Sequence, residues 1–153
     1  MNNLLVNQLI ELQSPGGTER ILWVDPLGRG FYVIDVTSDA ALPVFRTSED
    51  IDGMLEMGGA KLVEQDTWLA PCADQDVPER YCRMRDESWN LIRPLVFDQP
   101  AIFETRARGR AVRRLIEEGK TTKQTLYRLL RRYWQRVTVH SPPVDQAVAG
   151  MAL

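Results

Sequence analysis

Residues 105–136 read TRARGRAVRRLIEEGKTTKQTLYRLLRRYWQR, and the spacing of the apolar residues in this stretch decides the fold of the C-terminal half. Ala107, Ala111, Val112, Leu115 and Ile116 recur at helical intervals, which predicts a helix from about Thr105 to Glu118. Gly119 follows where a C′ glycine ends a helix without steric cost. Thr121 or Thr122 then offers an N-cap for a second helix running to Arg136, with Leu126, Leu129, Leu130, Tyr133 and Trp134 on its apolar face. Two helices joined by a turn of about three residues with a glycine are the pattern of a helix-turn-helix.

Upstream, Glu79 to Val96 is also helical in pattern. Tyr81, Met84, Trp89, Ile92 and Val96 can share a face, and Pro94 is expected to kink or end the helix. The stretch 79–136 is therefore expected to be a three-helix, helix-turn-helix domain. It is preceded at 71–78 by PCADQDVP, an acidic, proline-flanked linker composition. Residues 1–70 alternate short β-branched and aromatic runs with turn residues. Arg20-Ile-Leu-Trp-Val24 and Phe31-Tyr-Val-Ile-Asp-Val36, separated by Asp25-Pro-Leu-Gly-Arg-Gly30, predict a hairpin. Leu42 to Phe45, with Pro43 marking an edge, suggests a third strand, and Lys61 to Glu64 with Thr67 to Leu69 another. Glu49 to Met57 predicts a short helix capped by Thr47 or Ser48. A sheet this small must close or be covered to hide its edges, so the expected architecture is a barrel-like domain. The fold class is thus α+β: a small β-rich domain, a linker, a trihelical domain, and a flexible tail over 137–153.

Charge follows the same division. Residues 103–136 hold eleven Lys or Arg against three acids, a net +8, so in a chain of net −2 the remainder carries −10. An ordinary solvated helix face mixes both signs, whereas a face this basic suits a polyanion. If the second helix of the pair enters a DNA groove, its N-terminal part presents Lys123, Gln124, Thr125, Tyr127 and Arg128 to base edges. Gln pairs with adenine, Arg or Lys with guanine, and the Thr methyl with thymine. Arg131, Arg132 and Arg136 are placed for phosphates, as are Arg106, Arg108 and Arg110 on the first helix. The leucines are core on either view, so only the basic face separates DNA binding from a plain solvated helix.

Signals for other chemistry are weak. No apolar run reaches the roughly 18 residues of a membrane span, and the start MNNLLVNQLIEL lacks a basic n-region. The expected location is cytoplasmic. Cys72 and Cys82 with the single His140 make no recognisable zinc site and read as free thiols. Ser14-Pro-Gly-Gly17 lacks the lysine and strand-to-helix context of a phosphate loop. No catalytic residue, metal, cofactor, small-molecule ligand or membrane partner is expected.

From Thr122 to Arg136, and most closely over Tyr127-Arg-Leu-Leu-Arg-Arg-Tyr-Trp-Gln-Arg136, the chain resembles the N-terminal DNA-binding region of TnsB-type transposases, relatives of the phage Mu transposase in the DDE (retroviral-integrase-like) superfamily. In that family a small β-rich domain, an acidic connector and a trihelical module precede the catalytic core. The resemblance implies recognition of transposon ends as double-stranded DNA through Lys123, Gln124, Thr125, Tyr127, Arg128, Arg131 and Arg132, with other transposition proteins as further partners and a bacterial, nucleoid-associated location. Where the family continues into its metal-binding catalytic domain, this chain has VTVHSPPVDQAVAGMAL at 137–153. That departure implies a truncated, non-catalytic transposase fragment. The alternatives are a module that docks a transposition partner, and an inert remnant.

Overall fold

The computed structural model describes residues 4–13, 16–64 and 79–136. The expected hairpin is present as β2 (Gly17–Val24) and β3 (Gly30–Asp35), paired antiparallel. Its connection is closed by Asp25, whose amide donates to the Gly30 carbonyl at 2.9 Å while Oδ1 accepts from the Leu27 amide at 3.1 Å. The Arg29 guanidinium hydrogen-bonds the Asp25 carboxylate and holds that carboxyl below the usual carboxylate range. β4 (Val44–Thr47) and β5 (Ala60–Val63) complete the elements expected from the sequence, with helix α1 (Ser48–Glu56) between them. Thr47 caps α1, its side chain accepting from the Asp50 amide at 3.2 Å. The suggested strand at Thr67 to Leu69, the linker 71–78 and the tail 137–153 lie outside the described residues.

Two features differ from expectation. A further strand, β1 (Leu9–Leu12), lies between β2 and β5, so the antiparallel sheet runs β4-β3-β2-β1-β5. With four residues and little β-branching, β1 carries almost no local signal and owes its conformation to pairing on both sides. Among the described residues the expected barrel does not close by hydrogen bonding, because β4 and β5 are the two ends of the order. Helix α1 touches both and covers the gap, seating Ile51 among Leu4, Ile10, Leu12, Ile21, Phe31, Val33 and Ala60.

Gly30 marks a close approach within this sheet. A Cβ there would lie 2.2 Å from the Arg46 carbonyl oxygen and 2.7 Å from Phe45 Cζ. Backbone must shift to admit it, so Gly30→Ala is expected to lower stability by about 1–3 kcal/mol, read as a reduced denaturation midpoint with an unchanged m-value. Wild-type stability in that variant would mean that β3 and β4 separate at no cost.

The opposite face of the sheet is covered by the C-terminal helices: α2 (Glu79–Val96), α3 (Thr105–Glu117) and α4 (Lys123–Gln135), with a 3-10 turn at Ala101–Phe103 between α2 and α3. Leu22 and Ile34 of the sheet share one core with Ile92, Leu95, Val96, Ile102, Phe103, Val112, Leu126, Leu130 and Trp134. The β2–β3 register shifts between Ile21 and Trp23, a bulge that turns the consecutive side chains Leu22 and Trp23 toward the helices. An aromatic relay runs from Trp23 to Tyr32, Phe103 and Trp134, with successive ring centroids 6.0, 5.2 and 5.7 Å apart. The α2 face is only partly as expected. Ile92 and Val96 are buried and Trp89 is half-buried against Tyr133, but Tyr81 and Met84 are exposed because the N-terminal half of α2 contributes nothing to the shared core. Pro94 does not end α2, which continues through it to Val96.

Polar contacts pin the end of α4 to the sheet. The buried Arg20 donates from Nε to the Gln135 carbonyl at 3.1 Å, and Arg131 Nε donates to the Ala41 carbonyl at 2.8 Å. The Gln135 side-chain amide donates to the carbonyls of Asp35, at 2.8 Å, and Ser38. Among the described residues no helix is long and apolar enough to cross a membrane.

Candidate nucleic-acid interface

The candidate surface is built from α3, α4 and the turn between them. Gly119 takes φ +78° and its amide donates back to the Ile116 carbonyl at 2.9 Å, ending α3 as a C′ glycine does. Of the two candidate caps it is Thr122 that caps α4, its Oγ1 accepting from the Thr125 amide at 3.2 Å. Inside α4, Leu126, Leu130 and Trp134 are buried at four-residue intervals. The same interval sets its outer row, where Gln124, Arg128 and Arg132 are exposed, with Arg136 exposed just beyond the last turn.

The residues expected at bases divide by exposure. Lys123, Gln124 and Arg128 are open to solvent. The Lys123 ammonium lies 5.9 Å from the Tyr127 ring centroid, at the limit of a cation–π contact. Tyr127 is half-buried against the core, and Thr125 is half-buried with its hydroxyl 3.0 Å from that of the cap Thr122.

The phosphate set divides more sharply. Arg106 and Arg110 are exposed on α3, and Arg113 and Arg114 extend the same face at helical spacing. Arg108 is a correction. It is 1% exposed, and its Nη1 donates to the Phe103 carbonyl at 2.9 Å and more weakly to that of Ile102 at 3.4 Å. The side chain points inward beside Val112 and supplies a donor to the carbonyls of the 3-10 turn, so it cannot meet a phosphate from this position. Arg108→Ala is accordingly expected to cost about 1–3 kcal/mol of stability, as leaving buried carbonyls without their donor does. The salt slope of any DNA binding should stay unchanged, a combination read by denaturation and salt titration of the same variant. A lowered slope with wild-type stability would return Arg108 to the surface. Arg131 is half-buried, with Nε given to Ala41.

Sequence reasoning passed over Arg113, Arg114 and Gln135 as site residues. The first two had a usable signal, since they stand three and four positions after Arg110. Gln135 had none, because its partners lie 97 and 100 residues away in the chain.

Partnering separates the arginines of the two segments. In the sheet segment Arg29 pairs with Asp25, Arg46 makes a bidentate contact with Glu19, and Arg20 bonds the carbonyls of Gln135 and Asn7. Among the described residues no ion pair engages Arg106, Arg110, Arg113, Arg114, Arg128 or Arg132. Six exposed guanidinium groups on two adjoining helices thus lack an anion among the described residues.

Comparison with known proteins places this segment. Residues 85–139 match the family model described as the TnsB second domain. A stretch of 52 residues, 34% of this chain, is 40% identical to Transposon Tn7 transposition protein TnsB of Escherichia coli and spans 7% of that protein's length. The α2–α4 segment is TnsB-like, and the matched region continues past Arg136 to residue 139.

Proposed function

We propose that α3, the turn over 118–122 and α4 act as a helix-turn-helix that binds double-stranded DNA at transposon ends. In this reading α4 lies in the major groove, with Lys123, Gln124 and Arg128 at base edges and Thr125 and Tyr127 at the margin of the contact. Arg106, Arg110, Arg132 and Arg136 engage phosphates, and Arg131 does so with the donors that Ala41 leaves it. The observation that carries the proposal is the set of exposed arginines on α3 and α4 that no acid of the described chain neutralises. The likeness of this segment to TnsB, a transposition protein of transposon Tn7, supports transposon ends as the target.

The chain's own part is binding at the nucleoid, and cutting or joining of DNA is not assigned to it. The test is equilibrium binding to the ends of the transposon that encodes it, against a shuffled duplex. Preference for the ends, erased by Gln124→Ala with Arg128→Ala, supports the proposal; equal affinity for both duplexes contradicts end recognition. A second reading, docking of a protein partner, draws on β4, an end strand of the described sheet, where Val44 is 49% and Phe45 43% exposed. That activity would survive neutralisation of the α4 face, which separates the two.

A further inference from the structure

Resting on the assignment of α4 as the DNA-reading helix, we infer that Gln135 is a positioning residue for base recognition, and that the Asp35–Ala41 loop of the sheet segment is the buttress it works against. The loop is shaped internally first. The Thr37 amide and hydroxyl both donate to Asp35 Oδ1, at 2.8 and 2.6 Å, and the Ala40 amide donates to Ser38 Oγ at 3.2 Å. This brings the carbonyls of Asp35 and Ser38 together on a single donor group, the side-chain amide of Gln135. A primary amide has two N–H bonds, enough to serve both.

Three further contacts make the attachment directional. The Gln135 carbonyl, one of those that a helix end leaves without an internal partner, accepts from the buried Arg20. Arg131, one turn earlier on the same side of α4, reaches Ala41 at the far end of the loop. Trp134 fills the core from the adjacent face. Apolar packing alone permits a helix to roll or slide a little in its groove, because dispersion contacts have no preferred direction. Hydrogen bonds of fixed length to one carbonyl pair remove that freedom. The difference matters at a distance: with side chains included the helix radius is roughly 5–6 Å, so a roll of about 20° carries the outer groups of Gln124 and Arg128 by about 2 Å. That breaks a bidentate base contact, whose geometry is fixed, whereas the Coulombic attraction of a guanidinium to a phosphate falls off only slowly with distance. The sheet segment thereby sets the rotational register of the reading helix although its own residues need not touch a base.

The test compares the full wild-type chain with Gln135→Met, which keeps the length but removes both donors, and Gln135→Leu, which removes them with a shorter branched chain; neither changes the charge. The probes are a duplex enriched by the wild-type chain from a random-sequence pool and its shuffled counterpart. The expected result is that preference for the enriched duplex falls about tenfold in both variants, while affinity for the shuffled duplex and the salt slope stay at wild-type values. Undiminished preference overturns the inference. So does a proportional loss on both duplexes that tracks a loss of folded chain by circular dichroism, since a merely structural role would act on both alike. A wild-type chain that enriches no sequence removes the inference together with the reading beneath it, whereas a selective wild type with selective variants sinks only the inference.

Discussion

Replacing Trp134 by alanine is expected to lower the unfolding free energy by about 3–5 kcal/mol. The side chain is 3% exposed and stands where sheet and helices meet, 5.7 Å from Phe103 by ring centroids, in a core that includes Leu22 and Ile34 from the strands and Val112, Leu126 and Leu130 from α3 and α4. Truncation removes the transfer free energy of an indole and leaves a cavity bounded by both segments, which cannot collapse without moving one against the other. Because a domain holds only about 5–15 kcal/mol in total, the variant should be marginal at 37 °C. Chemical denaturation followed by far-ultraviolet circular dichroism measures the loss, and hydrogen exchange shows where it falls. Protection should drop together in β2, β3 and α4, since they share the cavity. Loss confined to the helices, or a cost under about 1 kcal/mol, would mean that the shared core does not hold the two segments together. Met84→Ala, on the exposed side of α2, is the control and should change stability by no more than about 0.5 kcal/mol.

Neutralising the outer face of α3 is expected to produce the largest change in binding. With Arg106, Arg110, Arg113 and Arg114 all replaced by glutamine, four exposed guanidinium groups are lost from one face, and none of them has an ion-pair partner among the described residues whose release would complicate the result. If Arg106 and Arg110 each contact one phosphate, as the proposed interface has them, the log-log salt slope should become shallower by about 1.8, and affinity near 0.1 M salt should fall by a factor on the order of sixty, equally for every duplex sequence. Stability should hardly move, because surface substitutions away from caps and cores rarely exceed about 0.5 kcal/mol. An unchanged slope would show that α3 faces solvent in the complex and that α4 alone carries the charge contacts.

Much of this architecture was legible because its signals are local. The α3–turn–α4 unit announces itself through a cap threonine, a C′ glycine and two stripes of period 3.6, and each was found within a residue or two of its expected place. The β2–β3 hairpin and α1 are written in the same local terms. What escaped was decided by contacts distant in sequence. β1 is four residues long and is a strand because β2 and β5 flank it. Arg108 sits among basic residues in a pattern that reads as surface, yet the fold turns it toward two carbonyls of the preceding turn. Charge counting cannot separate it from Arg106 and Arg110, since all three are arginines two positions apart. The role of Gln135 is the extreme case, fixed by a loop about a hundred residues upstream.

The central claim is that the basic surface of α3 and α4 is a DNA-binding surface. The most direct measurement is the equilibrium affinity of the whole chain for duplex DNA over a range of salt concentrations. Tight binding at low salt is expected, weakening along a log-log slope of about −5, as five or six neutralised phosphates require. Absence of duplex binding at low salt, or binding indifferent to salt, would contradict the claim.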